Sequence, residues 1–466
     1  MSTNVSGAPS AYDTIHTQKT ILGHPAGLFV LFFTEMWDRF SYYGMRALLI
    51  LYMVDYLIKG VRDGSIHVAG FLPLQGAIQG VFGPLGVQPL ASQIYGIYTA
   101  LVYFTPLFGG MLADRYLGQR KAVVIGGILM AIGQFLLAAE SMFLLGLLFL
   151  ILGNGSFKPN LATQVGSLYP PGDPRLDRAY SIYYMGVNLG AFFSPLVCGT
   201  LGQKYGWAYG FSAAGVGMIC GLIFYLWGQK FLAKDLLTRT QEGQQKEKVK
   251  LTAKEWKVIF ALMVLIVVNA FFWAVYEQQG NTLQLFADRN ADWHVFGWEM
   301  PSTWFQSFNP MLIFALTPLL INFWGGQSRK GTEPGSITKM AMGCILLGVA
   351  FLPLVYIARG MGETEKISFL WLIGSTFILT IGELYLSPIG QSLVAQVAPP
   401  SLISMLMGMW FLSNFIGNYL TGYLGTFYET MSRDAFFIML GGLALAAGLA
   451  IFALGKPLRS AMGHKV

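Results

Sequence analysis

Residues 27–54 form an apolar run of about 28 residues, and an α-helix needs about 20 such residues to cross a hydrocarbon core. Runs of this kind recur along the chain. With soft boundaries they are 27–54, 91–113, 121–139, 142–166, 178–202, 207–231, 256–286, 303–325, 338–358, 367–397, 402–427 and 434–455. Inside lipid every backbone N–H and C=O must find its partner within the segment, so each run reads as a helix. The expected fold is therefore an all-α integral membrane protein with 12 transmembrane helices. Only 11% of the residues are charged, against about 25% in soluble domains, which leaves little soluble mass. Cys198, Cys220 and Cys344 all lie in apolar stretches and read as small core residues, neither a disulfide framework nor a metal cage. No metal site and no cofactor are expected.

Most connections are short. Residues 59–90 are Gly-rich and read as a long outer loop with a short interfacial helix. Residues 287–302 read as an aromatic-rich loop. The one long polar segment, 232–255, divides the spans six and six. The expected organisation is a tail (1–26), a six-helix bundle (27–231), a cytoplasmic linker (232–255), a second six-helix bundle (256–455) and a tail (456–466). Lysine and arginine set the orientation. With the N-terminus inside, 20 of the 30 lie in inner loops and tails and seven lie outside. Both termini are thus expected in the cytoplasm of a cell whose plasma (inner) membrane holds the chain. The +7 net charge reports topology, and no nucleic-acid partner is expected.

The remaining three bases, Arg39, Arg46 and Lys158, fall within spans. So do the acids Glu35, Asp38, Glu277 and Glu383. Left unpaired, seven such groups would cost on the order of 20 kcal/mol, so they must pair, hydrate or titrate. At about 100° per residue, Glu35, Asp38, Arg39, Tyr42, Tyr43 and Arg46 share one helix face and need not meet lipid. The bases all sit in the first half and the acids in both, which would give a central cavity one positive and one negative wall. A zwitterion fits such a cavity. Its carboxylate would face Arg39, Arg46 and Lys158, and its ammonium Glu277 or Glu383. Pro159 and Pro388 break helices near these charges, as expected near transporter sites. Asn188, Asn309, Asn414, Tyr43, Tyr103 and Trp410 could serve peptide amides and side chains. The motifs His-Glu-x-x-His and Gly-x-Ser-x-Gly are both missing, and His16, His24, His67, His294 and His464 lie in tails or loops. No enzyme is expected, and any proton coupling should run through carboxylates.

Six plus six spans around a basic linker resemble the major facilitator superfamily. "GGMLADRYLGQRKAV" (109–123) is similar to that superfamily's loop between helices two and three, where Asp114, Arg115 and Arg120 would form a conformational latch. "GHPAGLFVLFFTEMWDRFSYYGMRALLILYM" (23–53) resembles the first helix of the proton-dependent oligopeptide transporters, whose pattern there is Glu-x-x-Glu-Arg-Phe-x-Tyr-Tyr-Gly. Further blocks match in order: "LVYFTPLFGGMLADRYLG" (101–118), "GNGSFKPN" (153–160), "YSIYYMGVNLGAFFSP" (180–195), "FWAVYEQQ" (272–279), "FQSFNPMLIFALTPL" (305–319), "GELYLSPIG" (382–390) and "MGMWFLSNFIGNYLTG" (407–422).

This resemblance implies uptake of di- and tripeptides together with protons, by alternating access. It implies proton coupling at Glu35, Asp38, Arg39, Lys158 and Glu383. It implies peptide binding at Tyr43, Arg46, Tyr103, Lys158, Asn188, Glu277, Asn309, Glu383 and Trp410. The expected partners are peptides, protons and membrane lipid, and the expected state is a monomer. Asp38 departs from the pattern, where the second acid is usually Glu. Being one methylene shorter, it would lengthen a contact with Arg39 or Lys158, or shift that contact to Glu35. Residues 232–255 are too short and polar for the two extra helices of many bacterial members, so twelve helices are expected and not fourteen. The rival cargoes on the same fold are nitrate or another anion, which would need the bases but not Glu277, and drugs.

Overall fold

The computed structural model describes residues 20–170, 173–233, 252–362, 365–399 and 402–462. Residues 234–251 of the expected linker, and 1–19 and 463–466 of the expected tails, lie outside the described residues. The long helices in chain order are α1 (Ala26–Tyr52), α2 (Val87–Leu117), α3 (Gln119–Leu137), α4 (Glu140–Gly166), α5 (Leu176–Tyr205), α6 (Trp207–Phe231), α7 (Glu255–Asn290), α8 (Ser302–Arg329), α9 (Ser336–Ala358), α10 (Leu370–Val397), α11 (Ile403–Gly425) and α12 (Arg433–Ala453). Ten of these, all but α1 and α11, are long and apolar enough to cross a membrane. The two exceptions have a plain cause in sequence. Helix α1 carries Glu35, Asp38, Arg39 and Arg46, and α11 carries Ser413, Asn414 and Asn418.

Local chemistry sets several boundaries. Helix α7 begins in a capping box, where Thr252 Oγ1 accepts from the Glu255 N–H at 3.3 Å and Glu255 Oε2 accepts from the Thr252 N–H at 2.7 Å, which satisfies two of the orphaned donors of the first turn. Three helical runs widen into π turns at Met53–Leu57, Ala113–Leu117 and Pro195–Gly199. Helix α7 breaks at a 3-10 turn, Glu277–Gly280, then resumes as Thr282–Asn290.

Two expected loops hold more structure than their sequences suggested. Residues 59–90 include the helices Ile58–Asp63 and Phe71–Phe82. The loop after α7 starts only past Asn290, because the polar stretch Thr282–Asn290 is helical and buries Leu283, Leu285, Phe286 and Ala287. The rest is a short hairpin pairing His294–Val295 with Trp298–Glu299. Ala291–Asp292 pairs in parallel with Ile367–Ser368.

In the first half, α3 packs along α4, and α1 against both α5 and α6. In the second half, α9 packs against α10 and α12, and α7 against α11. The halves meet chiefly along two lines, α2 with α11 and α5 with α8. The α2–α11 approach depends on glycine. A Cβ on Gly96 would stand 2.5 Å from the Gly422 Cα and 2.7 Å from its N, so the two backbones touch only because neither residue has a side chain.

The hydrogen bonds and ion pairs that join the halves are unevenly placed. Gln88 Nε2 donates to the Gly425 carbonyl at 2.9 Å, and Ser92 Oγ to Asn281 Oδ1 at 2.9 Å. Gln203 Nε2 donates to Ser302 Oγ at 2.8 Å and to Asp288 Oδ1 at 3.0 Å. Arg289 bridges Asp55 of the first half at 3.4 Å and Glu429 of the second at 3.7 Å. All of these gather at the end of the molecule that carries residues 53–90 and 290–302. Between described residues, no hydrogen bond or ion pair joins the halves at the opposite end.

Candidate functional site

The charged face of α1 forms a compact cluster. Arg39 Nε lies 3.0 Å from Glu35 Oε1, one helical turn back, and Arg39 Nη2 donates to Asp38 Oδ2. Tyr183 on α5 donates to the other Glu35 oxygen at 2.6 Å. Glu35, Asp38 and Arg39 are 3%, 0% and 3% exposed, so their charges are compensated by one another and not by water. The short Asp38 side chain therefore keeps its contact with Arg39.

Lys158 does not join this cluster. Its ammonium sits over the Tyr103 ring, 4.9 Å from the centre. No acid forms a salt bridge with it among the described residues. Arg39, Glu35, Asp38 and Glu277 are the charges that act on it. Of the three expected ways to hold a charge at this depth, pairing, hydration or titration, Lys158 does not use a salt bridge to a described acid. Lys158 is only half-buried, and a cation over an aromatic face keeps part of its stabilisation without a counter-ion.

One turn beyond Tyr42, Arg46 crosses between the halves. Its Nη2 donates to Glu277 Oε2 on α7, and its Nε donates to Tyr95 Oη on α2 at 2.7 Å. The break in α7 makes room for this pair. A Cβ on Gly280 would lie 2.7 Å from Arg46 Nε and 2.8 Å from Nη2, so any side chain there would push the guanidinium away. Tyr43 lies under the same guanidinium, with Arg46 Cζ 5.9 Å from the ring centre.

Across the interior, Glu383 on α10 is held by neutral donors. Tyr276 Oη donates to Glu383 Oε2 at 2.7 Å and Asn309 Nδ2 at 3.0 Å. Asn309 also donates to Thr380 Oγ1 at 3.0 Å. No base forms a salt bridge with Glu383 among the described residues, and both Glu383 and Asn309 are half-buried.

Other expected positions fall differently. Asn188 Nδ2 donates to the Tyr184 carbonyl within α5 at 3.0 Å. Trp410 is 2% exposed and its ring covers Gly390 of α10, so in this conformation it packs between helices. Asp114 and Arg115 sit exposed in the π turn at the end of α2. Arg120 donates to the Ala233 carbonyl at 3.0 Å and to the Leu232 carbonyl, tying the start of α3 to the chain just past α6. Sequence reasoning missed Tyr95, Tyr183, Tyr276, Thr380 and Gly280. Of these, Thr380 could have been found, since it lies three residues before Glu383 on a helix. Tyr276 directly precedes Glu277 in the sequence. Nothing local marks Tyr95 or Tyr183.

The arrangement is a polar interior at mid-helix, with an acid–base cluster on α1, a cross-half ion pair and, among the described residues, a base with no salt-bridged acid and an acid with no salt-bridged base. Known proteins resemble this chain over nearly its whole length. A peptide transporter of Yersinia enterocolitica, YePEPT, is 32% identical over 474 residues, covering 87% of this chain and 88% of that protein. A di-/tripeptide transporter of Lactococcus lactis subsp. cremoris is 28% identical over 96% of this chain and 98% of its own length. The crystal structure of the peptide transporter POT in complex with sulfate superposes with a TM-score of 0.82 at 32% identity, covering 96% of this chain and 97% of that one. The sequence pattern of the POT family (PTR2) matches residues 120–252 and 232–440. With these likenesses of sequence and fold added to the charged interior, the chain belongs to the POT family of transporters.

Proposed function

We propose that this chain imports di- and tripeptides together with protons across the plasma (inner) membrane. The moving parts are two six-helix bundles, 27–231 and 256–455, twelve spans in all, joined by a cytoplasmic linker at 232–255. The observation that carries this reading is the pair of uncompensated charges. Among the described residues Lys158 has no salt-bridged acid and Glu383 no salt-bridged base, and they belong to opposite halves. A peptide is a zwitterion and can supply a carboxylate to one and an ammonium to the other. Nitrate would leave Glu383 unmatched, and an apolar drug would leave both. The names of the relatives support the same cargo.

The end of the molecule away from residues 53–90 and 290–302 carries Arg115, Arg120, Arg175, Arg329 and Lys330. Basic residues favour the cytoplasm, so this conformation faces inward and both termini lie inside. The outer end is closed by the α2–α11 and α5–α8 contacts.

The geometry suggests how a proton drives the cycle. With Glu35 and Asp38 ionised, Arg39 is held by both. A proton on either carboxylate removes one of its charges. Arg39 then has attraction to spare for a peptide carboxylate arriving beside Lys158. Loss of that proton to the cytoplasm restores the cluster and weakens the hold on peptide. Each bound state biases one bundle against the other through differential contacts. A proton moving down 100 mV supplies about 2.3 kcal/mol, which is roughly fiftyfold accumulation at 1.4 kcal/mol per tenfold.

The test uses proteoliposomes holding only this protein, an inward proton gradient and labelled dialanine. Accumulation that an uncoupler abolishes and unlabelled tripeptide competes away is the expected result. Uptake of nitrate but not dialanine would overturn the peptide reading. Dialanine equilibration that ignores the gradient would overturn the coupling.

A further inference from the structure

Asp38 uses its two carboxylate oxygens differently. Oδ2 accepts from Arg39, on the side of the charged cluster. Oδ1 is buried and has no hydrogen-bond partner among the described residues. Four more buried polar atoms around it share that condition: Tyr42 Oη on α1, Tyr98 Oη on α2, Gln134 Oε1 on α3 and Asn154 Oδ1 on α4. The five residues are 0–4% exposed.

These groups belong together. Asp38, Ser41 and Tyr42 stand at i, i+3 and i+4 on α1 and share a face. Gln134 Nε2 donates to the Ser41 carbonyl at 3.2 Å and to Ser41 Oγ at 3.1 Å, which puts its orphaned Oε1 beside that face. The groups acting electrostatically on the Tyr98 hydroxyl include Tyr42 and Asp38. Asn154 Nδ2 donates to the Val102 carbonyl at 2.9 Å, one turn along α2 from Tyr98. The peptide-facing residues Tyr43, Tyr103 and Lys158 are half-buried, whereas this seam is enclosed by α1, α2, α3 and α4.

Buried polar groups in folded proteins are hydrogen-bonded to protein or to ordered water. Ordered water at such a site needs two to four polar partners, and the seam offers donors and acceptors of both kinds. Resting on the proton-coupled reading above, we infer that the first bundle holds an internal file of water linking Tyr98 and Tyr42 to Asp38 Oδ1, and that this file carries the coupled proton separately from the peptide cavity. The ligand of this site is water. A hydroxyl both donates and accepts. A proton added to the file from hydronium is passed on as each hydroxyl or water accepts one proton and gives up its own. The Asp38 carboxylate becomes a carboxylic acid, the hydronium becomes water and the file is chemically unchanged. Gln134 and Asn154 cannot relay a proton this way and act as positioning residues for the water.

Two measurements test the inference. In the first, wild-type protein in proteoliposomes is exposed to hydroxyl radicals generated by X-ray pulses, and each tyrosine is scored by mass spectrometry. Radicals born from internal water label buried rings beside it. Tyr42 and Tyr98 should be labelled at least fivefold faster than Tyr52, which is 2% exposed and packs against Phe143, Trp207 and Phe211. Labelling no faster than Tyr52 would overturn the water file. In the second, Tyr98→Phe is compared with wild type in two assays. Proton-driven accumulation of dialanine should slow about tenfold, while exchange of labelled for unlabelled dialanine at equal pH keeps its rate and KM. Equal losses in both assays, or in neither, would overturn the role in proton delivery. Absence of proton-driven accumulation in the wild type is a different result, and it would strike the proposed function itself.

Discussion

Two ion-pair systems sit within a few turns of each other on α1, and they are built differently. Glu35, Asp38 and Arg39 belong to a single helix, so their contacts do not depend on how the two halves stand. Arg46 and Glu277 are 231 residues apart and join α1 to α7, so their contact exists only while the halves stand as they do here. Both are almost wholly buried, where an opposite charge is needed to offset desolvation. The difference lies in what can break them. A proton can neutralise an acid of the local cluster without moving a helix. The cross-half pair is broken by separating the helices or by offering each partner a substitute. The first system is suited to sensing protons and the second to reporting conformation and cargo.

The sharpest way to break this comparison is Glu277→Gln. It leaves Arg46 buried without a counter-charge, beside Tyr95 and the Tyr43 ring, and removing one member of a buried pair costs about 3–5 kcal/mol. Both proton-driven uptake and peptide exchange should fall at least about a hundredfold, equivalent to about 2.8 kcal/mol. Near-normal exchange in radiolabel assays would show that the cross-half pair does not serve peptide binding. Next in size is Lys158→Ala. It should abolish accumulation against a gradient and slow exchange about tenfold, because the α1 cluster stays intact but the base that receives the peptide carboxylate is gone. Unimpaired accumulation by this variant would remove Lys158 from the coupling.

The contacts that hold the closed end can be tested without touching a charge. Gly96→Val would drive a branched side chain into the Gly422 backbone, so α2 and α11 can no longer meet. The population should move toward a conformation open at that end, with transport reduced about tenfold. Spin labels introduced at Ser65→Cys and Ser432→Cys would report a longer distance distribution than in the parent protein. An unchanged distribution would mean that the α2–α11 approach does not hold the gate.

The sequence exposed some of this and hid the rest, for physical reasons. Apolar length is a local property, so the helices of the membrane core could be read directly. Helix α7 outran its apolar stretch because Thr282–Asn290 is buried although much of it is polar, Thr282, Gln284 and Asn290 included, and no hydropathy window detects that. On α1, the 100° step of a helix was enough to gather Glu35, Asp38 and Arg39 on one face. The same step could not say that Arg39, and not Lys158, takes both acids, since that depends on how far α4 stands from α1. Nor could it show Arg46 reaching Glu277, or Tyr183 and Tyr95 completing the two systems, because those partners come from other helices. Trp410 reads as a cavity aromatic in sequence, yet its ring lies on Gly390, a contact set by the packing of α11 on α10.

The smallest expected effect lies at the basic end of the molecule, and it contrasts a titrating contact outside the membrane with the buried clusters inside it. His24, just before α1, is 7% exposed, and its Nδ1 is 2.7 Å from the Tyr169 hydroxyl. Burial first, and then the positive charges of Arg175 and Arg178, hold its pKa below the ordinary 6.5, with Asp173 opposing them. A histidine with a lowered pKa binds fewer protons folded than unfolded. Its contribution is therefore complete above pH 6.5 and is lost as pH falls through the folded value. Arg175 also donates to the Gly23 carbonyl at 3.0 Å, so a charged His24 would be repelled by the group that pins its own neighbour. Amide hydrogen exchange over residues 20–26 should quicken by a few-fold between pH 7.5 and 5.5 after correction for intrinsic rates. His24→Gln should flatten that dependence, and exchange at Gly280 and its neighbours in α7 should not respond. A matching response in α7 would mean that the entry to α1 and the cross-half pair titrate as one unit, and the separation between local and cross-half charge systems would not hold.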